Sequence, residues 1–174
     1  MAGDVTVRPA TSADAAAIAE IYNQGIRARI ATFETEERTP EERRTWLASH
    51  DDRHPVVVAT ITEGGAARVV GWAATDGYRT RACYAGVAEF SVYIHEQYRG
   101  RGVGVLLLNG LIDAAERVGL WKLLSRVFPE NVASRALCAK VGFREVGVYQ
   151  NHGKLDGVWK DTVIVERLIP ANLT

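Results

Sequence analysis

The chain has 174 residues, 47% hydrophobic and 24% charged, and its 21 basic and 21 acidic side chains cancel to a formal net charge of zero. That length suits one domain, 1–174, burying roughly 70% of the surface its unfolded form would expose, so no disulfide or metal staple is needed. The charge balance offers no electrostatic grip on nucleic acid or an anionic membrane, no run approaches the roughly 20 apolar residues of a membrane span, and the amino terminus lacks a signal peptide's apolar core, so a cytoplasmic location is expected.

In chain order, Val5 and Val7 alternate with polar neighbours as a short first strand. Thr11-Ser-Ala-Asp14 then supplies a hydroxyl cap and an acid for the first turn of a helix expected to run to about Ala28. Thr39-Pro-Glu-Glu42 opens a second helix with a cap, a proline at the first position and a glutamate three residues after the cap; Trp46 and Leu47 should face inward. Val56–Thr62 and Val69–Thr75 are β-rich runs joined by Glu63-Gly-Gly-Ala66, an antiparallel hairpin. Phe90, Val92 and Ile94 against Ser91, Tyr93 and His95 give the period of a strand, and Val105 to Leu108 with Leu111, Ile112 and Ala115 continue as an apolar helix face. Lys122–Phe128 is another strand, Asn131 caps a helix in which Leu137 and Val141 stack, and Gly142 suits a left-handed terminus. Arg144–Tyr149 and Thr162–Leu168 close the chain as strands around a loop, Asn151 to Val158. The expected order, β-α-α-β-β-β-α-β-α-β-β, is an α/β fold with a mixed, mostly antiparallel sheet flanked by helices.

The most informative stretch joins the strand at Glu89 to the central helix through Arg99-Gly-Arg-Gly-Val-Gly104. Glycines at 100, 102 and 104 let the backbone bend and bring its N–H groups to a bulky anion, and those amides open a helix whose dipole favours negative charge. A phosphate or pyrophosphate is the expected guest. A dinucleotide fingerprint fails because Val105 stands three residues beyond Gly102, and a P-loop fails because Gly104 leads into Val105 and Leu106 rather than Lys and Ser or Thr.

The loop resembles the acyl-CoA pyrophosphate loop of the GCN5-related N-acetyltransferases, whose pattern of Arg or Gln, two residues, Gly, one residue, Gly or Ala is filled by Arg99, Gly102 and Gly104. A second motif of that family appears as Asn131, Ser134, Leu137, Gly142 and Phe143, and the element order matches throughout. Within the family, the chain is similar to the phosphinothricin, methionine sulfoximine and arsinothricin acetyltransferases. Ile21-Tyr-Asn23, Ala31-Thr-Phe-Glu34, Arg79-x-Arg81-x-x-Tyr84, Glu89-x-Ser91-Val-Tyr93 and Gly157-x-Trp159-x-Asp161 carry that likeness.

The resemblance implies acetyl transfer from acetyl-CoA to the α-amine of a small amino acid or glutamate analogue. Amine attack on a thioester requires an acceptor for the amine's proton, and Glu89 is the expected general base. The Val92 amide is the implied donor to the thioester oxygen. Ile94, Arg99, Gly100, Arg101, Gly102, Val103, Gly104, Val105, Asn131 and Ser134 are implied around the cofactor, with Asn131 also readable as a plain helix cap. Arg79 and Arg81, on alternate positions of an extended segment, are expected to fork around the substrate's anionic group, with Phe33 and Tyr84 as an apolar wall and Glu34 as a partner for its ammonium. Cys138 occupies the place where the family often has a proton-donating tyrosine; a small buried thiol is its commoner meaning. The loop residues Leu155 and Asp156 depart from the group's pattern and leave the exact acceptor open. No metal site or hydrolase triad is expected, and the resemblance implies a homodimer. The alternatives are acetylation of a peptide or protein amine on the same fold and a CoA-binding module without catalysis.

Overall fold

The computed structural model describes residues 5–174; the first four residues of the amino-terminal stretch lie outside it. Among the described residues, seven strands and four α-helices follow the expected order: β1 Thr6–Pro9, α1 Ala15–Ala28, α2 Pro40–Ser49, β2 Val56–Glu63, β3 Ala66–Gly77, β4 Val87–Ile94, α3 Val103–Arg117, β5 Lys122–Val127, α4 Val132–Lys140, β6 Arg144–Leu155 and β7 Val158–Leu168. They build one sheet in the order β1-β2-β3-β4-β5-β7-β6. β4 and β5 run parallel, and the other neighbouring pairs are antiparallel.

The capping signals work as their chemistry requires. Thr39 Oγ1 accepts from Glu42 N–H at 3.2 Å while Glu42 Oε2 accepts from Thr39 N–H at 2.6 Å, satisfying two otherwise orphaned donors. Asp14 Oδ2 accepts from Thr11 N–H at 2.8 Å and the Asp14 carboxylate also takes a two-pronged contact from Arg8, both bonds 2.8 Å. The alternation of the sheet divides the core in two. On one face α3 seats Leu107, Leu108, Leu111 and Ala115 against Ala73, Ala88, Phe90 and Leu123. On the other, Ile18 and Ile21 of α1 pack with Val58, Trp72 and Ala74, and Trp46 and Leu47 of α2 rest half-buried on this cluster.

The end of the chain differs from the sequence expectation. Asn151–Val158 is not a loop: β6 and β7 form a long hairpin in which Leu155 pairs with Val158 across Asp156-Gly157, both at positive φ (49° and 79°). Two left-handed residues match the right-handed twist of the strands, which is why an Asp-Gly pair closes so tight a turn. Between Tyr149 and Gly153 the register slips, with Asn151 at φ 47° and its N–H held by Asp161 Oδ1 at 2.8 Å. Such a bulge re-aims side chains, and here it turns His152 toward the cavity between β4 and the hairpin. Gly153 lets the arm lie close to the segment after α1, since a Cβ there would sit 2.8 Å from Phe33 Cε1.

Candidate active site

The site is set by a short strand contact. β4 and β5 pair only from Val87–Lys122 to Glu89–Leu124, yet β4 runs on to Ile94 while β5 stays with β7 as far as Val127–Val163. The two strands therefore part just beyond Glu89. His95 donates its N–H to Val70 O at 2.9 Å, so by alternation the amides of Ser91 and Tyr93 face β3 and those of Val92 and Ile94 face the opening. Val92 and Ile94 line a cleft of about 450 Å³, together with Arg99, Gly100, Gly102, Gly104, Val105, Asn131 and Ser134.

Each glycine of the turn has its own reason. Gly100 and Gly102 hold φ of 72° and 83°, the left-handed region in which a Cβ crowds the following carbonyl, and Gly102 is the residue that caps α3. Gly104 is helical; a Cβ there would lie 3.0 Å from Leu137 Cδ2, so its role is to let α3 and α4 approach. Arg99 Nε donates to Ile94 O at 3.1 Å, tying the turn to the end of β4. Val103 buries its side chain in the core and has only backbone to offer, while Arg101 stacks its guanidinium 5.3 Å over the Tyr98 ring and does not line the cleft. Asn131 Oδ1 accepts from Ser134 N–H at 3.2 Å, so the cap reading holds for a residue that also borders the cleft.

A second cavity of about 440 Å³ adjoins the first on the α1/α2 face. Phe33, Glu34, Glu89, Ser91, Arg126, Phe128 and His152 line it, and a smaller space of about 90 Å³, bordered by Ser91, Val92, Ser125, Asn131 and Ser134, joins the two. Glu89 receives Arg126 Nη2 on Oε2 at 2.5 Å, and Glu34 is likewise engaged by Arg38 at 2.5 Å. Phe33 meets Phe128 edge-on at 4.8 Å, forming the apolar wall. Arg79 lies over the Tyr78 ring at 5.1 Å in a recess shared with Glu89, Arg126 and His152. Arg81 is exposed and lines none of these four spaces, and Tyr84 packs edge-on to Tyr78 at 5.6 Å outside the second cavity. The strand ends at Gly77 and the chain bends at Thr80 and Arg81, ahead of the 3₁₀ turn at Ala82, so the extended run that would have aimed Arg79 and Arg81 alike is not formed. Burial pushes the Cys138 thiol up to about 11 and places it in the core, away from the cleft lined by its neighbour Leu137.

Sequence reasoning missed Arg126, Ser125, Asp76 and His152 as site residues. Ser125 and Arg126 interrupt the apolar run Leu123, Leu124 and Val127, the one local signal available; their placement beside Glu89 follows from β4–β5 pairing, which a single sequence does not state. Among the described residues no cluster of three or more His, Cys, Asp or Glu could hold a metal ion, and no helix is long and apolar enough to cross a membrane.

A strand pair that opens onto a glycine turn at a helix start, with a paired carboxylate in an adjoining pocket, suits an enzyme that holds an anionic carrier on one side and accepts a proton from a substrate on the other. The chain belongs to the GNAT acetyltransferases: the family model described as "Acetyltransferase (GNAT) domain" matches residues 4–144. It is 36% identical over 164 residues to a phosphinothricin N-acetyltransferase of Streptomyces coelicolor, covering 94% of this chain and 96% of that protein. To an L-methionine sulfoximine/L-methionine sulfone acetyltransferase of Pseudomonas paraeruginosa it is 30% identical over 162 residues, 92% of each chain. A crystal structure of a GNAT superfamily phosphinothricin acetyltransferase from Sinorhizobium meliloti in complex with AcCoA superposes with a TM-score of 0.85 at 30% identity, covering 95% of this chain and 88% of that one.

Proposed function

We propose that this N-acetyltransferase takes its acetyl group from acetyl-CoA and delivers it to the α-amine of a small amino acid or glutamate analogue of the phosphinothricin and methionine sulfoximine kind. The observation that carries the reading is the position of Glu89, on the last β4–β5 pair, between a cleft lined by free backbone amides and a separate side-chain pocket. Acetyl-CoA, when bound, supplies an activated thioester acetyl group. Gly100, Gly102 and the amides that open α3 fit its pyrophosphate, Arg99 braces that turn, and Asn131 and Ser134 flank the arm that reaches toward the small joining space.

The acceptor enters from the other side. Arg126 holds Oε2 of Glu89 and leaves Oε1 to take a proton from the amine, which must lose one before its lone pair can attack. The Val92 N–H, turned to the open strand edge, donates to the oxygen that gains charge. Arg79 and His152 meet the acceptor's anionic end in the recess beside Glu89. Phe33 forms the apolar wall, and Tyr84 steadies Tyr78 in the recess that holds Arg79. Buried Cys138 does not supply a proton, so the leaving thiolate takes one from solvent.

The protein works as a homodimer, a reading supported by the family likeness and by Val146, Val148, Val158 and Leu168, which the β6–β7 hairpin leaves 47%, 53%, 61% and 50% exposed. Sedimentation at micromolar concentration distinguishes dimer from monomer. The activity is tested by thiol release from acetyl-CoA against phosphinothricin, methionine sulfoximine, methionine sulfone, common amino acids and a lysyl peptide. Release with the glutamate analogues supports the acceptor class, release with the peptide alone replaces it, and release with none contradicts catalysis.

A further inference from the structure

Asp76 stands directly opposite Glu89 in the β3–β4 register, and both side chains line the acceptor pocket. Like charges facing each other across two strands repel, so each needs a cation beside it. The three acids of this pocket are not equally committed. Glu89 and Glu34 each take a guanidinium at 2.5 Å, whereas Asp76 has His50, whose Nε2 lies 3.2 Å from Oδ1 but off the axis of a full hydrogen bond. His50, at the end of α2, is held by Trp46: its Nδ1 is 2.9 Å from Trp46 O, and the rings meet edge-on at 4.6 Å. With both nitrogens facing oxygens, the arrangement needs a proton on each nitrogen, or one on Asp76. The His50 side chain is 8% exposed, so this proton is kept from bulk water, while that of Asp76 is 55% exposed on the pocket side. Asp76 raises the proton affinity of His50 above the ordinary histidine value in spite of burial.

We propose that Asp76, anchored from behind by the imidazolium of His50, is the carboxylate that grips the acceptor's ammonium, leaving Glu89 to take its proton. The inference rests on the amine-acetylation reading above. An α-amine reaches the site mostly protonated at neutral pH and binds where an anion has lone pairs to spare. Asp76 meets that need, with its single long contact to His50. It is poorly placed to be the base, because β3 lies on the far side of β4 from the opening into which the Val92 amide points. Glu89, on the last residue pair before that opening, has the nearer position. The division of labour is therefore geometric: the acid on β3 positions the nitrogen, and the acid on β4 deprotonates it.

The test compares L-methionine sulfone with 4-(methylsulfonyl)butanoate, the same molecule without its amine, used as a competitive inhibitor. In Asp76→Asn, KM for methionine sulfone rises roughly tenfold, kcat stays within about threefold, and Ki of the desamino acid does not move. Asp76→Glu recovers part of the loss, and His50→Gln shifts KM the same way by less. A matching rise in the desamino Ki would make Asp76 a shaper of the pocket, and a fall in kcat at constant KM would put it in the proton path; either overturns the assignment, as does an unchanged KM. Should the wild type acetylate a lysyl peptide but not methionine sulfone, the acceptor class fails alone, and the same comparison is decided on that peptide and its norleucyl counterpart.

Discussion

The donor cleft and the acceptor pocket lie on either side of Glu89 and are built from different materials. The cleft sets backbone donors among apolar side chains: amides of Val92 and Ile94 on the open edge of β4 and a glycine turn at the start of α3, flanked by Ile30, Val105 and Leu137. The pocket is side chains drawn from the segment after α1, from β3, β4 and β5, and from the β6 bulge. Backbone recognition of a common cofactor can be written in one contiguous stretch. Recognition of a particular acceptor needs groups converging from several elements.

That contrast predicts separable kinetic effects. The largest is expected for Glu89→Gln, which removes the proposed proton acceptor but keeps its shape and its contact to Arg126; kcat falls by about 10²–10⁴ with acetyl-CoA affinity unchanged. Gly102→Val forces a β-branched side chain to φ 83°, a strain on the order of 1–3 kcal/mol, so KM for acetyl-CoA rises about 5- to 100-fold while acceptor KM at saturating donor holds. Arg126→Met frees Glu89 to turn away, and kcat drops about tenfold, with Arg126→Lys intermediate because a single ammonium keeps the charge but loses the planar fork. An acceptor-side variant that raised donor KM as much as Gly102→Val does would blur the distinction.

The smallest effect is a control outside both regions. Buried Asp14 is desolvated, which raises its pKa, but its bonds from Arg8 and Thr11 outweigh this and hold it below the usual carboxylate value. A depressed folded value means the pair's stabilisation is complete above the unfolded carboxyl value of about 4 and is lost as pH falls through the folded one. Asp14→Asn should lower Tm by about 2–6 °C near neutral pH, with the gap to wild type closing in acid and the kinetic constants unmoved. Thermal melts between pH 3 and 7 would show whether it does.

How much of this could be read from residues alone follows the same division. The helix starts at Thr39 and Asn131 and the Glu89 strand are written in local chemistry, and the structure has them where expected. The hairpin tip was also legible, since Leu155-Asp-Gly-Val158 is a two-residue turn between β-forming residues, but the glycines and polar residues around it read as a loop. Arg126 and Asp76 were beyond reach for a different reason. Their place beside Glu89 depends on which strand pairs with which and in what register, a long-range fact that neither residue's neighbours encode. Arg81 shows the reverse case: alternation along an extended segment would pair it with Arg79, but the strand stops at Gly77 and the chain bends at Thr80 and Arg81.

The claim that Glu89 stands between two separable half-sites is tested most directly by a single-turnover measurement. Enzyme preloaded with acetyl-CoA, its affinity determined by titration, is mixed with excess L-methionine sulfone, and acetylated product is followed in wild type and Glu89→Gln at neutral pH. The expected result is equal acetyl-CoA affinity and acetyl transfer at least about 100-fold slower in the variant. Transfer at the wild-type rate in Glu89→Gln would contradict it.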